Sequence, residues 1–418
     1  MKKFIYFILI VSLFIFSGCT KIFPEFGFSS FNQNEINYLK ENSVLLETLE
    51  DYHFFDDKIN DKRVVFTSEF HGTELNFELK MNMFKYLNEN HDFNVYISET
   101  GYGSAFVINH YIRTGEEEYL DFLMNQLENT FSYSLNNYEY FKNMHEYYLE
   151  TEKDFIFTGI DVEHQFATAL LAIEIILDKI ENNDFPVIFE DFEIIINFLR
   201  SIEFKRSGYA EDTSRNIIDF YSNLYLDYSD NETFYENIFG NDFIHLKSIV
   251  ENSLFTLKLY YEFDKDDEII TFDDIDREVR IYDNFLFISQ MYPDTNYYGQ
   301  WGAFHTSLNI INEETLAYYI NSNELFKDKV LSIYSYYINS DYLNPRDGKI
   351  KRMDNHSDYK LDKISKGNLT FFDLEKDNSP FTEKLYFLNI KNTDLSTTDF
   401  FQMFILFDNS KPIKIFNK

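Results

Sequence analysis

Cysteine is almost absent from this chain of 418 residues, and Cys19 is its single occurrence. Cys19 lies in a segment typical of lipid attachment, which is described below. A cysteine that carries a lipid leaves no thiol for a disulfide, for a thiolate metal site or for a nucleophile. The sequence therefore excludes those three chemistries.

Positive charge is scarce as well, because 37 Lys and Arg residues face 71 Asp and Glu residues and give a formal net charge of −34. A chain with this charge repels phosphate backbones and anionic lipid headgroups. We therefore expect no nucleic-acid partner, and we expect a lipid rather than a basic patch to hold the protein at a membrane.

Three common catalytic signatures are also missing. No Gly-x-Ser-x-Gly elbow occurs, so a serine hydrolase triad has no support. The pair His145-Glu146 lacks a second histidine four residues after the first, which removes a zincin motif. The stretch Gly101–Ser104 lacks the third glycine and the Lys-Ser/Thr pair of a phosphate-binding loop, so it reads as a turn into a helix.

The first residues have the pattern of an export signal. Met1–Lys3 is positive, Phe4–Phe16 is almost wholly apolar, and Phe16-Ser17-Gly18-Cys19 resembles a bacterial lipobox. The apolar stretch is too short for a comfortable membrane span. We therefore expect an exported lipoprotein of the bacterial cell membrane or outer membrane, with residues 1–19 as signal and lipobox and a lipid on Cys19.

Alternating strand and helix patterns follow the signal. Apolar residues make up 44% of the chain, enough for a packed core. The sequence predicts strands from Arg63 to the acid at 69 and over 93–99, 155–161, 296–302 and 329–338, with shorter ones near 368–374, 384–390 and 401–407. It predicts helices over 73–90, 103–113, 116–127, 136–152 and 313–323. This order predicts an α/β fold with a parallel-sheet core and helices on both faces.

The same pass along the chain divides it into segments. Residues 20–62 are expected to form a tether and an N-terminal helix. Apolar residues at helical spacing predict that this helix continues to Leu49. Residues 63–164 form the first part of the α/β core and 293–418 the second part. Between them, 165–292 is almost entirely helical in pattern and predicts a large helical insertion or cap. The polar stretch 346–367 is expected to be a surface loop.

Acids and histidines recur where the predicted strands end. Glu69 and His71 follow the first strand, Glu99 the second and Asp161 the third, while His305 follows the fourth. Because the carboxyl ends of parallel strands meet at one sheet edge, we expect these side chains to converge. Such a group offers a base, a partner that orients it and charge for a transition state. For Asp161, helix capping is an equally good explanation.

Several spaced stretches share the pattern of one known family: Ser68–Thr73, Leu79–Lys80, Phe84–Leu87, Val95–Glu99, Asn109–Gly115, Phe157–Asp161, Arg277–Glu278 with Asn284, and Gly302–His305. Together these stretches resemble the erythromycin-esterase-like proteins over roughly residues 60 to 320. The resemblance implies a parallel α/β core, a helical cap and a cleft between them.

Two positions depart from that family. Its esterases have two residues between the Glu and the His of the first motif, whereas only Phe70 separates Glu69 from His71. The shorter spacing is similar to the haem-binding ChaN-like lipoproteins and to the metal-dependent TraB and Tiki proteins of the wider superfamily. The family's arginine after the first helix turn has Lys80 or Asn82 in its place.

The resemblance implies a hydrolase that activates water against an ester, a lactone or an amide of a small-molecule substrate, with no cofactor. In that reading His71 is the general base, Glu69 and Glu99 orient it, and His305 assists. The resemblance also implies a substrate-binding set, which comprises Lys80, Arg113, Asp161 and Arg277.

A second interpretation uses the same four residues differently. Glu69, His71, Glu99 and His305 could hold a divalent metal or a haem, either in a lipoprotein that catalyses nothing or in a metal-dependent hydrolase. The sequence leaves both interpretations open.

Overall fold

The computed structural model describes residues 31–180, 186–189, 211–264, 275–345, 347–353, 360–388, 390 and 393–416. The signal with Cys19, and parts of the predicted helical cap, lie outside the described residues. Among the helices that are described, none is long and apolar enough to cross a membrane.

The described chain alternates strands and helices in the predicted order. The strands are β1 Ser43–Leu45, β2 Val64–Glu69, β3 Val95–Gly101, β4 Ile156–Asp161, β5 Tyr297–Gly302, β6 Val330–Ile338, β7 Ser340–Asn344, β8 Lys349–Met353, β9 Leu369–Asp373 and β10 Met403–Asp408. The helices are α1 Gln33–Glu41, α2 Asp56–Ile59, α3 Leu75–His91, α4 Tyr102–Thr114, α5 Glu117–Gln126, α6 Leu135–Glu150, α7 Phe166–Leu177, α8 Glu211–Asp230, α9 Glu232–Phe239, α10 Phe243–Asp264, α11 Ile275–Met291 and α12 Leu316–Ser322.

Eight strands form one twisted sheet in the order β1-β9-β10-β6-β2-β5-β3-β4. The six strands from β10 to β4 run parallel to their neighbours, whereas β9 and β1 are antiparallel at one edge. The mostly parallel core confirms the predicted α/β class.

Helices cover both faces of this sheet, and the strand period shows why. Successive strand residues point to opposite faces. Val64 and Phe66 of β2 pack into the cluster that contains α7 and residues of α8 to α11, whereas Val65 packs into the cluster that contains α3 and α6. A strand that is buried on both sides must be apolar at every position, which is what the run at 64–66 predicted.

Three expectations about elements were wrong. The apolar pattern that predicted helix as far as Leu49 is broken at Asn42, whose side chain donates to the Tyr38 carbonyl and caps α1, and the chain then forms β1. No strand forms over the described residues of 384–390, because Phe387 has a φ of 67°, which a strand cannot contain. The expected loop 346–367 contains β8, which pairs with β7 in a hairpin.

The strand order is what places the site. Strand β5 enters the sheet between β2 and β3, although more than 130 residues separate it from β4 in the sequence. The four strands whose ends carry the acids and histidines are therefore adjacent in the order β2, β5, β3, β4. Their carboxyl ends form one continuous edge.

Candidate functional site

Glu69 and His71 form a hydrogen-bonded pair at the end of β2. The His71 Nδ1 atom lies 2.6 Å from Glu69 Oε1. With its amide nitrogen toward the other carboxylate oxygen, Gln300 of β5 donates to Glu69 Oε2 at 2.9 Å. Because Nδ1 is taken by Glu69, Nε2 is the His71 nitrogen left for a ligand or a water.

The turn that carries His71 is fixed by backbone contacts. The Phe70 amide donates to the Tyr337 hydroxyl at 3.1 Å, and Asn76 Nδ2 donates to the Phe70 carbonyl at 2.8 Å. Gly72 has a φ of +97°, and its carbonyl accepts from the amides of Leu343 and Ile413. A side chain at position 72 would lie 2.7 Å from the Leu343 carbonyl oxygen, so this turn requires glycine.

Glu99 lies at the centre of the edge. Its Oε2 accepts from the Gly302 amide at 2.7 Å, while Oε1 lies 3.5 Å from His305 Nε2 and 3.7 Å from an Arg277 guanidinium nitrogen. Burial alone would raise the pKa of Glu99, but the contact with His305 and the charges of His305, His71 and Arg277 hold it far below its usual value. Glu99 therefore stays ionised, with His305 and Arg277 as its neighbouring cations.

His305 lies between two carboxylates. Its Nδ1 is 2.6 Å from Glu278 Oε1 and its Nε2 faces Glu99, while the side chain is only 6% exposed. Burial would lower the pKa of His305, but Glu278 and Glu99 outweigh it and raise the pKa to about 10. At neutral pH His305 is consequently a buried cation and not a base.

Arg277 connects the helical segment to the same edge. Its guanidinium donates to both oxygens of Asp161, from Nε at 3.0 Å and from Nη2 at 2.7 Å. Asp161 is 2% exposed and also accepts from the Val162 amide. Asp161 thus belongs to the site, but it holds Arg277 and is too buried to bind a substrate as we expected.

The charge state of His71 follows from these neighbours. Burial would lower the pKa of His71, but the hydrogen bond and charge of Glu69, with the charge of Glu99, raise it to about 9 against the opposing charge of His305. Glu69 pairs in register with Gly302, whose amide donates to Glu99, so these groups lie together at one edge of the sheet. His71 is one third exposed and is therefore the histidine of this group that a substrate can approach.

Lys80 is brought close to the site and Arg113 is not. The Lys80 ammonium lies 4.1 Å from the ring centroids of Phe77 and Tyr140. Burial lowers the pKa of Lys80 to about 8 against the charge of Glu69. Arg113 lies at the far end of α4, where it donates to the Phe155 carbonyl just before β4 begins. That position is the opposite edge of the sheet, so we assign Arg113 no contact with substrate.

The described residues of the site offer few ligands to a metal ion or a haem. Both His305 nitrogens face carboxylates, so His305 offers no free nitrogen, whereas His71 bonds Glu69 through Nδ1 and keeps Nε2 free. Within the described part of the chain, no group of three or more His, Cys, Asp or Glu side chains is arranged to hold a metal. The described residues therefore supply one free imidazole nitrogen and no complete set of metal ligands.

The sequence reasoning missed three residues at this edge. Glu278 belongs to the Arg277–Glu278 motif but received no role, and Gln300 is a polar residue inside a buried strand, which was the available signal. The third is His164, whose Nε2 lies 3.9 Å from Asp161 Oδ2, and burial keeps its pKa below the ordinary value.

The comparisons with known proteins give relatives of known structure only. No protein-family description matches the chain, and no curated protein matches it. A Bacillus cereus protein of known structure has a TM-score of 0.67 at 15% identity, over 93% of this chain and all of its own. A protein described as a succinoglycan biosynthesis protein has a TM-score of 0.62 at 15% identity, over 92% of this chain and 98% of its own.

The third relative is a mutant of the erythromycin esterase EreC in its open conformation. It has a TM-score of 0.62 at 13% identity, and the match covers 89% of this chain and 97% of the esterase. Identities this low show a shared fold and not a shared substrate. The chain described here has the fold of the erythromycin esterases, as its sequence motifs predicted.

Proposed function

We propose that this protein hydrolyses an ester, a lactone or an amide of a small molecule, with His71 as the general base that activates water. One observation carries the proposal. Glu69 orients His71, and at the same edge of the sheet Glu99 lies close to two buried cations, His305 and Arg277. A base beside fixed positive charge is the combination that acyl transfer to water requires.

In the proposed reaction, His71 Nε2 takes a proton from water while the water oxygen attacks the substrate carbonyl carbon. The carbonyl π electrons move to its oxygen, and the cations His305 and Arg277 favour that negative charge. When the carbonyl re-forms, the bond to the leaving oxygen or nitrogen breaks, and the leaving group takes the proton from His71. No cofactor enters this sequence, and the acid and the alcohol or amine account for every atom of substrate and water.

We also propose that the protein is exported and held at a bacterial membrane by a lipid on Cys19. This proposal rests on the sequence of residues 1–19 alone. Metabolic labelling with a fatty acid tests it, since labelled wild type and an unlabelled Cys19→Ala variant are expected, and equal labelling of both would contradict the proposal.

The hydrolase proposal is tested with the His71→Ala variant and a panel of activated esters and lactones. Since a general base contributes about 10²–10⁴ in rate, the variant should lose at least about a hundredfold in kcat. The matched control is His53→Ala, which removes a half-exposed histidine that pairs with Asp56 outside the site. The control should keep the wild-type rate, and both variants should unfold at the wild-type temperature within a few degrees.

Two results would contradict the proposal. One is a His71→Ala variant that is folded and as active as the wild type. The other is a wild-type protein that hydrolyses nothing in the panel and carries a stoichiometric metal or haem after purification without chelator.

A further inference from the structure

We infer that Glu278 is a positioning residue for the proposed site: it fixes the His305 ring and keeps the imidazole doubly protonated. Glu278 lies next to Arg277 on α11, in the helical segment between β4 and β5. Only the catalytic consequence rests on the proposed function. The protonation of His305 is a property of the folded chain and can be measured without any substrate.

The two oxygens of Glu278 are both engaged in the protein interior. Oε1 lies 2.6 Å from His305 Nδ1, and Oε2 accepts from the Leu316 amide at the start of α12 at 2.8 Å. The side chain is 2% exposed, so water does not compete for either oxygen. The carboxylate is therefore held by the Leu316 amide at one oxygen and lies in close ionic contact with the imidazole at the other.

The surroundings of His305 contain few other groups that could set its charge. Glu99 of β3 faces the second ring nitrogen at 3.5 Å, and the rings of Trp301 and Phe304 lie with centroids 5.5 Å from the imidazole. The charge of His71 acts in the opposite direction. Of the two carboxylates, Glu278 is both closer and more deeply buried than Glu99, so it has the larger effect on the proton.

The Glu278→Gln variant separates the charge of this residue from its shape. An amide has one acceptor oxygen, and the Leu316 amide can still donate to it. The NH₂ group then faces His305 Nδ1, where it can only donate, so Nδ1 must give up its proton. The substitution thus favours a neutral His305 with its remaining proton on Nε2, toward Glu99.

The experiment is an NMR titration of the full-length protein labelled at histidine Cε1, with the His305 signal assigned by its loss in His305→Gln. In the wild type, His305 should remain charged through pH 8. In Glu278→Gln the pKa of His305 should be at least one unit lower than in the wild type, which is a tenfold or larger change in the protonation equilibrium. With an active protein, kcat should fall more than tenfold while KM changes little, because the lost charge faces the reaction and not the substrate's outer groups.

Thr315→Ala is the matched control for a merely structural effect. Thr315 caps the same α12 terminus through the Tyr318 amide and touches no charged group of the site. The Thr315→Ala substitution should destabilise this end of α12 without changing the pKa of His305. An identical titration in Glu278→Gln and wild type would overturn the inference, as would an equal shift in Thr315→Ala. A shift confined to Glu278→Gln in a protein that hydrolyses no ester would support the inference and contradict the proposed function alone.

Discussion

At the scale of single residues, His71 and His305 have different surroundings and therefore different roles. The sequence predicted only that both would lie at the same edge of the sheet. Both imidazoles are paired with carboxylates, yet His305 lies between two acids in the interior while His71 has one partner and an open side. A base must be able to lose its proton and reach a water, which favours His71. The sequence predicted which residues meet, but not their charges, because Glu278 and Arg277 lie about two hundred residues away from Glu69.

The partner of His71 can be tested by removing its charge alone. Glu69→Gln keeps an oxygen for His71 Nδ1 but removes the neighbouring anion that raises the His71 pKa. We expect the His71 pKa to fall from about 9 by roughly 1–3 units, as measured by histidine NMR. Glu50→Gln, at a carboxylate that is 89% exposed and pairs with His53, should leave the titration unchanged. An unshifted His71 in Glu69→Gln would contradict the pairing.

At the scale of elements, the core strands were easier to predict than the edge strand, the hairpin and the turns between elements. The core strands β2 to β5 follow from runs that end in acids or glycines, and β6 follows from a longer apolar run. The strand β1, the hairpin β7-β8 and the irregular stretch at Phe387 do not, because each depends on pairing or backbone torsion that periodicity does not encode. The turn after β2 is such a case. Glycine is required at position 72 because Leu343 of the hairpin and Ile413 near the chain's end pack against this turn and donate to its carbonyl.

Gly72→Ala tests how far that turn controls the site. The added methyl group would meet the Leu343 carbonyl at 2.7 Å in a backbone conformation that alanine rarely adopts. We expect a loss of about 2–4 kcal/mol in unfolding free energy, measured by denaturant titration, and reduced turnover because His71 shifts. Gly348→Ala is the control, because φ is +63° there but the methyl group would meet no atom within 4 Å. It should cost about 1 kcal/mol. Equal losses for the two variants would show that the turn is not closely packed.

At the scale of the whole molecule, the order of strands creates the site. Neither composition nor pattern shows that β5 lies between β2 and β3, and without that placement His305 would not reach Glu99. The sequence predicted that His305 would lie at this edge, but not the strand order that brings it there. Arg113 shows the limit of the same reasoning: a motif position carries over, but its place at the far end of α4 sets it on the opposite edge.

The large negative charge has a consequence at the same scale. Four acids of the site, Glu69, Glu99, Asp161 and Glu278, face Arg277 and two histidines, so nearly all of the net charge of −34 lies outside the site. An anionic substrate would therefore be repelled by the protein as a whole, while a neutral or cationic one would not.

The central claim, that His71 is the base in a hydrolytic site, is tested most directly by kcat/KM for ester hydrolysis as a function of pH. A base works only without its proton, and the His71 pKa is raised to about 9, so the free enzyme should be mostly in the inactive protonated form at pH 7. We expect kcat/KM to rise about tenfold per pH unit up to pH 8 and to level off near pH 9. A profile that is flat or falling between pH 7 and pH 9 would contradict it.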